Sequence, residues 1–299
     1  MNLVLGTAAL GFPYGVCNRE EKLGQKEVTK IIEKAWECGI REFDTAQAYQ
    51  DSEVFLGQAF KELGIGDETK VITKLHAEIS PRNLGQILMT LNNSLYRLKL
   101  DILEGILFHR EWVLDFYDFY DVDFLNEILW NLKQTGKVKK IGVSVYHPEY
   151  AIQALNINEM DIVQFPGNVF DRRFERLGVF ELAKKKGKEI YLRNIFLQGM
   201  LLADPENLPP NMEFMKFEIV RLRSMAVQFG LTRQELAINY LKTFFPEAKL
   251  IFGVETPEQV QGNVDVWKKP FSAEMDWVQR IFFNVSDRIL IPKLWRLMG

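Results

Sequence analysis

Eight short apolar runs, each followed by a stretch with helical periodicity, set the strongest limit on what this chain can fold into. The runs are LVLGTA (3–8), REFDTA (41–46), KVITKL (70–75), GILFH (105–109), KKIGVSV (139–145), DIVQF (161–165), EIYLRNIF (189–196) and KLIFGV (249–254). Helical patterns lie between them at 25–38, 52–63, 82–97, 121–135, 148–155, 172–186, 212–229 and 232–244, with apolar residues at three- and four-residue spacing. The last of these opens with a Thr232 cap and a Glu235 box. Strands covered by helices on both faces read as nearly continuous apolar runs, and several of these do. Eight such units favour an α/β fold of the (β/α)8 TIM-barrel type over a doubly wound sheet. The first strand ends in GTAALG, which is not the G-x-G-x-x-G turn of a Rossmann unit.

Composition narrows the functional classes. At 299 residues and 47% hydrophobic, the chain can bury a large core, and no Pro/Gly/Ser-rich linker divides it. One barrel domain over 1–299 is therefore expected, with 266–299 as a tail packing on it. The net charge of −3 arises from 37 basic and 40 acidic residues mixed along the sequence, which gives no field favouring nucleic acid or a membrane surface. The basic run AKKKGKE (183–189) falls at a helix end, where cations complement the dipole. Two cysteines, Cys17 and Cys38, fit a reduced cytoplasmic protein better than a disulfide or zinc scaffold. The amino terminus lacks the pattern of a signal peptide, and no apolar run is long enough to span a membrane.

In a barrel, the carboxyl ends of the strands converge on one rim, where chemistry is placed. Those ends carry Asp44, Lys74 with His76, His109, Ser144 with His147, Gln164 with Asn168, and Arg193 with Asn194, so all three histidines of the chain fall there. Asp44 closes an apolar strand in FDTAQAYQDSE (43–53), and Tyr49 follows it in the loop. A phenol is a weak acid near neutral pH unless a neighbouring ammonium stabilises its phenolate, and Lys74 is the candidate for that ammonium. Asp44 would keep a half-buried lysine charged. His109, while neutral, can hydrogen-bond a substrate carbonyl. This set suits proton donation to a carbonyl, and because no side chain delivers hydride, a cofactor is required. Taken singly, Asp44 is an ordinary turn carboxylate, Tyr49 an amphipathic packing residue and His109 a satisfied core histidine. The three histidines with Asp44 could in principle hold a metal, but no H-E-x-x-H or C-x-x-C motif ties them together and none is expected. A Schiff base on Lys74, as in barrel aldolases, is a further alternative.

The segment GIREFDTAQAYQDSEVFLG (39–57), VITKL, GILFHR, GVS, DIVQFPGNVFDRR, RNIFLQGMLL and IFGVETPEQVQGN together resemble the aldo-keto reductase family, in family order and over roughly residues 2 to 265. The resemblance implies a barrel that binds NADPH, or less often NADH, in extended form across the rim, and reduces a small-molecule carbonyl compound as a monomer. It makes Tyr49 the proton donor, with Lys74 and Asp44 tuning it and His109 orienting the carbonyl. Ser144 and Gln164 would contact the nicotinamide carboxamide. Gly253, Val254, Thr256, Gln259 and Asn263 would hold the pyrophosphate or adenosine end, where amides at a helix start favour anions.

The chain also departs from the family pattern. Val145 stands where an asparagine usually follows the strand-five serine. Arg193 stands where many members stack an aromatic ring on the nicotinamide, and a guanidinium plane can stack too. Gly253 and Gln259, with Glu255 between, stand where basic residues usually meet the 2′-phosphate, which argues against strict NADPH preference. The amino-terminal hairpin that plugs many family barrels is reduced or absent. The family's range leaves a non-catalytic, nucleotide-binding regulatory barrel as another alternative.

Overall fold

Strands form at each of the eight runs: β1 (Leu3–Gly6), β2 (Glu42–Asp44), β3 (Lys70–Leu75), β4 (Leu103–Phe108), β5 (Val138–Ser144), β6 (Ile162–Pro166), β7 (Glu189–Arg193) and β8 (Lys249–Gly253). All pairings are parallel, in sequence order, and β8 closes on β1 with Leu3 opposite Leu250 and Gly6 opposite Gly253. The structure, a computed structural model, describes residues 1–17, 21–110, 122–271 and 275–298. The helices follow the amphipathic pattern; Gln25–Glu37, for instance, buries Val28, Ile31, Ile32 and Ala35 against the barrel wall. The capping box at Thr232 and Glu235 forms as expected at the start of Arg233–Phe244. No helix among the described residues is long and apolar enough to cross a membrane.

Three elements differ from their sequence-based limits for local reasons. Asn194 takes φ +57, which ends β7 at Arg193 instead of carrying it to residue 196. The helix expected over 172–186 is two pieces, Arg173–Arg176 and Val179–Lys186, because Gly178 at φ +68 turns the chain between them. β1 stops at Gly6, and Ala8–Gly11 forms a single helical turn instead of continuing the strand.

Side chains two apart along a strand share a face, and in a closed barrel one face is the interior. Val4, Ile72, Leu107, Ile162, Tyr191 and Ile251, one from each of six strands, form an apolar cluster separate from the outer core. Two residues nearer the strand starts than Tyr191 and Ile251, the same face carries Glu189 and Lys249, and Glu42 and Lys140 meet them there. Lys140 bridges Glu104 at 2.8 Å and Glu189 at 2.6 Å, and Lys249 bridges Glu42 at 2.9 Å and Glu189 at 3.1 Å. Lys249 also donates to the Tyr191 hydroxyl at 2.6 Å. No strand precedes β1 among the described residues, and this ring of paired charges fills the end of the barrel opposite the rim. Two residues beyond the apolar cluster, toward the strand ends, lie Lys74, His109, Gln164 and Arg193, and Asp44 and Ser144 bond to members of this set.

The carboxyl-terminal segment lies against the helix Lys216–Gln228 and the loop after β6. Trp277 stacks on Phe229 with ring centroids 4.1 Å apart, Phe282 meets Phe170 at 4.7 Å, and Arg288 covers the Phe214 ring at 4.2 Å. Gln279 donates to Glu175 at 2.9 Å.

Candidate active site

β2 has only three residues because the chain turns away at Thr45, and the turn is fastened by buried hydroxyls. Thr7 Oγ1 donates to the Asp44 carbonyl at 3.0 Å, Ser52 Oγ donates to Thr7 Oγ1 at 2.7 Å, and Ser52 and Thr45 hydroxyls lie 3.0 Å apart. All three residues are fully enclosed. Their short side chains brace the turn beside main-chain bonds that continue past the strand, from Thr7 N to the Asp44 carbonyl at 2.9 Å and from Thr45 N to the Ile72 carbonyl at 2.8 Å. Gln47 N donates to the Lys74 carbonyl at 3.0 Å, so the loop runs on beside β3 before Tyr49. Thr7, Thr45 and Ser52 position Tyr49, and no periodicity marks them; a hydroxyl at an apolar strand end is the one signal they give in the sequence.

Lys74 is completely buried and makes two short contacts, to Asp44 Oδ1 at 2.6 Å and to the Thr45 carbonyl at 2.8 Å. Asp44 Oδ2 accepts from Gln164 Nε2 at 2.8 Å, and Gln164 Oε1 accepts from Ser144 Oγ at 3.3 Å. Arg193 Nε donates to the same Ser144 oxygen at 3.3 Å, its Nη2 donates to the Val145 carbonyl at 3.1 Å, and its guanidinium lies 4.0 Å over the Tyr146 ring. One polar chain therefore runs from β3 through β2, β6 and β5 to β7. Above it, the Tyr49 ring sits 5.2 Å from Lys74 Nζ and meets the His109 ring edge-on at 5.9 Å. The four residues Asp44, Tyr49, Lys74 and His109 are brought together, and Ser144, Gln164 and Arg193 adjoin them.

The electrostatics differ from the sequence-based expectation in one respect. Burial pushes the Tyr49 phenol above its ordinary pKa, and the Asp44 charge adds to the rise; Arg193, rather than Lys74, is the cation that opposes it. The Lys74 ammonium lies under the Tyr49 ring while it bonds Asp44 and Thr45. Burial also lowers the Lys74 pKa, against the pull of Asp44. Tyr49 is thus held as a neutral phenol, a proton carrier rather than a phenolate. Burial, aided by Lys74 and Arg193, lowers His109 to about 3, so its imidazole is neutral at physiological pH.

That depression has a measurable consequence. An unfolded chain protonates this histidine near pH 6.5 and the folded one only near pH 3, so its contribution to stability is full above pH 6.5 and is lost as pH falls toward 3. Denaturant midpoints at pH 7 and pH 5 should drop more for the wild type than for His109→Gln. Equal drops would mean that His109 titrates alike in both states.

The remaining residues lie at the end of β8. Gly253 is exposed, and a Cβ there would approach only the Gly6 carbonyl oxygen, at 4.0 Å, which leaves open space over the strand end. Thr256 caps the helix Pro257–Lys268 by accepting from Gln259 N, and Gln259 Oε1 accepts from Glu255 N at 2.7 Å. Val254 is buried, and Asn263 is buried with its oxygen accepting from Gln234 at 2.8 Å. Asn263 is therefore committed to the neighbouring helix, whereas Gly253, Thr256 and Gln259 frame the open helix start. Of the other rim histidines, His76 is exposed and His147 opens the helix Pro148–Asn156; among the described residues no three His, Cys, Asp or Glu side chains converge as metal ligands. Cys17 and Cys38 are both free thiols. Asn18, Arg19 and Glu20 of the loop after β1, and 111–121 after β4, lie outside the described residues.

A closed parallel barrel with a buried Lys–Asp pair beneath a tyrosine and a histidine at the rim is the architecture of a barrel oxidoreductase. Residues 2–277 match the aldo/keto reductase family model, and the chain belongs to that family. It is 25% identical to an NADH-specific methylglyoxal reductase of Escherichia coli, over 87% of each chain. Over 41% of this chain and 42% of the relative it is 37% identical to methylglyoxal reductase DkgA of Salmonella typhimurium. Its fold is similar to that of the aldo-keto reductase AKR11C1 of Bacillus halodurans, with a TM-score of 0.76 at 21% identity, covering 96% of this chain and 94% of that one.

Proposed function

We propose that the protein reduces small aldehydes or ketones with NADH or NADPH, and that Tyr49 supplies the proton. The observation that carries this reading is the meeting of the Tyr49 and His109 rings directly above the enclosed Lys74–Asp44 pair. The neutral imidazole of His109 donates a hydrogen bond to the carbonyl oxygen and sets its direction. The Tyr49 phenol, kept protonated by burial, then transfers its proton to that oxygen as negative charge develops on it. Lys74, itself fastened by Asp44 and Thr45, places a cation below the phenol where the departing proton leaves charge behind. Gln164 ties Asp44 to β6 and so holds the pair in register with the rim. The enclosure of Lys74 between two acceptors favours this positioning role over attack on a carbonyl as a Schiff-base nucleophile.

The dinucleotide supplies the hydride. Ser144 and Gln164, joined hydroxyl to amide at 3.3 Å, would take its carboxamide, and Arg193 would lie along its ring. Gly253, Val254, Thr256, Gln259 and Asn263 would form the far end of the site, with the start of Pro257–Lys268 presenting amides to phosphate. The open space over Gly253 fits such a group. With Glu255 and Gln259 joined at this end, no arginine fork meets a 2′-phosphate among the residues assigned to it. The names of the relatives point to methylglyoxal, a 2-oxoaldehyde, as the first substrate to try. The protein is expected to act as a monomer in the cytoplasm.

Quenching of intrinsic fluorescence by NADH and NADPH, followed by loss of reduced cofactor absorbance over a carbonyl panel, tests the proposal. Both nucleotides should bind and support turnover, with kcat/KM values within about tenfold of each other, a difference of roughly 1.4 kcal/mol. Binding without turnover on any carbonyl would favour a regulatory barrel, and a preference for NADPH above about a hundredfold would overturn the reading of the β8 end.

A further inference from the structure

Arg172, in the loop between β6 and the helix Arg173–Arg176, is enclosed, with 4% of its surface exposed. Its guanidinium lies 4.4 Å over the ring of Tyr240, which is completely buried in the helix Arg233–Phe244. The carboxylates beside it are already engaged. Asp171 is held by Arg173, whose Nε donates at 3.0 Å and Nη2 at 2.7 Å. Glu175 accepts from Arg172 Nη1 on one oxygen, at 3.2 Å, and from Gln279 on the other, at 2.9 Å. Arg172 Nε and Nη2 have no hydrogen-bond partner among the described residues, and neither has the Tyr240 hydroxyl.

Nε and Nη2 form one edge of the guanidinium, the fork that pairs with anions. Buried donors left unmatched are costly, and native structures meet them with protein groups, water or an ion. Burial lowers the Arg172 pKa to about 10, against the pull of Glu175, so the group stays cationic at neutral pH. A water offers two lone pairs to these three donors and brings two hydrogens of its own, of which the phenol oxygen can take one. An anion accepts from all three and also offsets the charge. Because both side chains are shut off from solvent, the occupant is an ion about the size of one water, rather than an organic carboxylate or a phosphate ester.

We propose that the Arg172 fork and the Tyr240 hydroxyl form an internal site for a small monovalent anion of the halide class. The ion joins the loop after β6 to the helix Arg233–Phe244, where the carboxyl-terminal segment docks through Gln279 on Glu175 and Phe282 on Phe170. The site shares no residue with the rim and does not depend on the reductase reading.

Crystals grown with sodium bromide test the site directly, because bromide scatters anomalously, and an anomalous peak is expected between Arg172 and the Tyr240 hydroxyl. In solution, with sodium gluconate holding the ionic strength constant, the thermal midpoint should rise by about 2–4 °C for each tenfold rise in bromide above its dissociation constant. Gluconate is too large for the enclosure and should give no such rise. Tyr240→Phe keeps the ring under the guanidinium and removes one donor, and should weaken bromide binding about tenfold. Arg172→Lys keeps the charge and removes the fork, and should abolish the dependence on bromide. An ordered water in place of the anomalous peak would overturn the proposal. So would bromide found only on exposed lysines, or a midpoint that responds to bromide alike in the wild type and both variants.

Discussion

Tyr49→Phe should reduce turnover about a thousandfold, within the range a positioned general acid contributes, while leaving NADH and NADPH affinity nearly unchanged. The substitution removes one oxygen and its proton, and the ring contacts with Phe12 and His109 survive it. Neither contact depends on the hydroxyl, so the loop that carries residue 49 should stay in place, held by Thr7, Thr45 and Ser52. The loss should fall on kcat as well as kcat/KM, since the missing interaction is made in the transition state. His109 remains to bind the carbonyl, and KM should move little. Retention of even a tenth of wild-type turnover would take the proton-donor role away from Tyr49. The thermal midpoint serves as the control, because a phenol whose pKa is raised by burial is neutral in both folded and unfolded protein near pH 7 and its removal carries no charge penalty.

The sequence carried the barrel and the membership of its rim, and it did so through periodicity. In LEGILFH, Leu107 and His109 are two apart; in KVITKL so are Ile72 and Lys74; in EIYLR, Glu189, Tyr191 and Arg193 descend one face of one strand. In β7 a single face therefore carries charge at the closed end, filling of the barrel in the middle and chemistry at the rim. The rim could be read because an ionisable residue after an apolar run is conspicuous. The closed end could be read by the same rule, yet Glu42, Lys140, Glu189 and Lys249 look like ordinary strand-start charges until the register pairs them. What escaped the sequence was direction. Lys74 and Tyr49 were legible as neighbours, but which of Asp44, Thr45 or Tyr49 the ammonium faces depends on where the loop leaves β2, and that is decided by buried hydroxyls with no periodicity of their own. The same holds for Tyr14 and Gln198. They lie 184 residues apart and meet because the loops after β1 and β7, the two strands that flank β8, come together at the rim.

The second large effect concerns Lys74 and Asp44, and it separates architecture from chemistry. Lys74→Met should destabilise the fold by about 3–5 kcal/mol, because it leaves the enclosed Asp44 carboxylate without its cation and with the Gln164 amide as its side-chain donor among the described residues. The loss would be seen as a lowered urea midpoint at unchanged slope. Asp44→Leu alone should be as damaging, since it strands an ammonium with no solvent exposure. Combining the two removes both charges, and apolar replacements of a buried pair are commonly neutral or stabilising, so the double variant should recover most of the lost stability. Turnover should not return with it. A methionine places no charge beneath Tyr49 as its proton leaves, and that interaction is needed at the transition state whether or not the barrel is stable. If the double variant regained activity along with its midpoint, the pair would be a device of the fold alone, and the cation serving Tyr49 would have to be Arg193, whose charge already opposes the rise in the phenol's pKa.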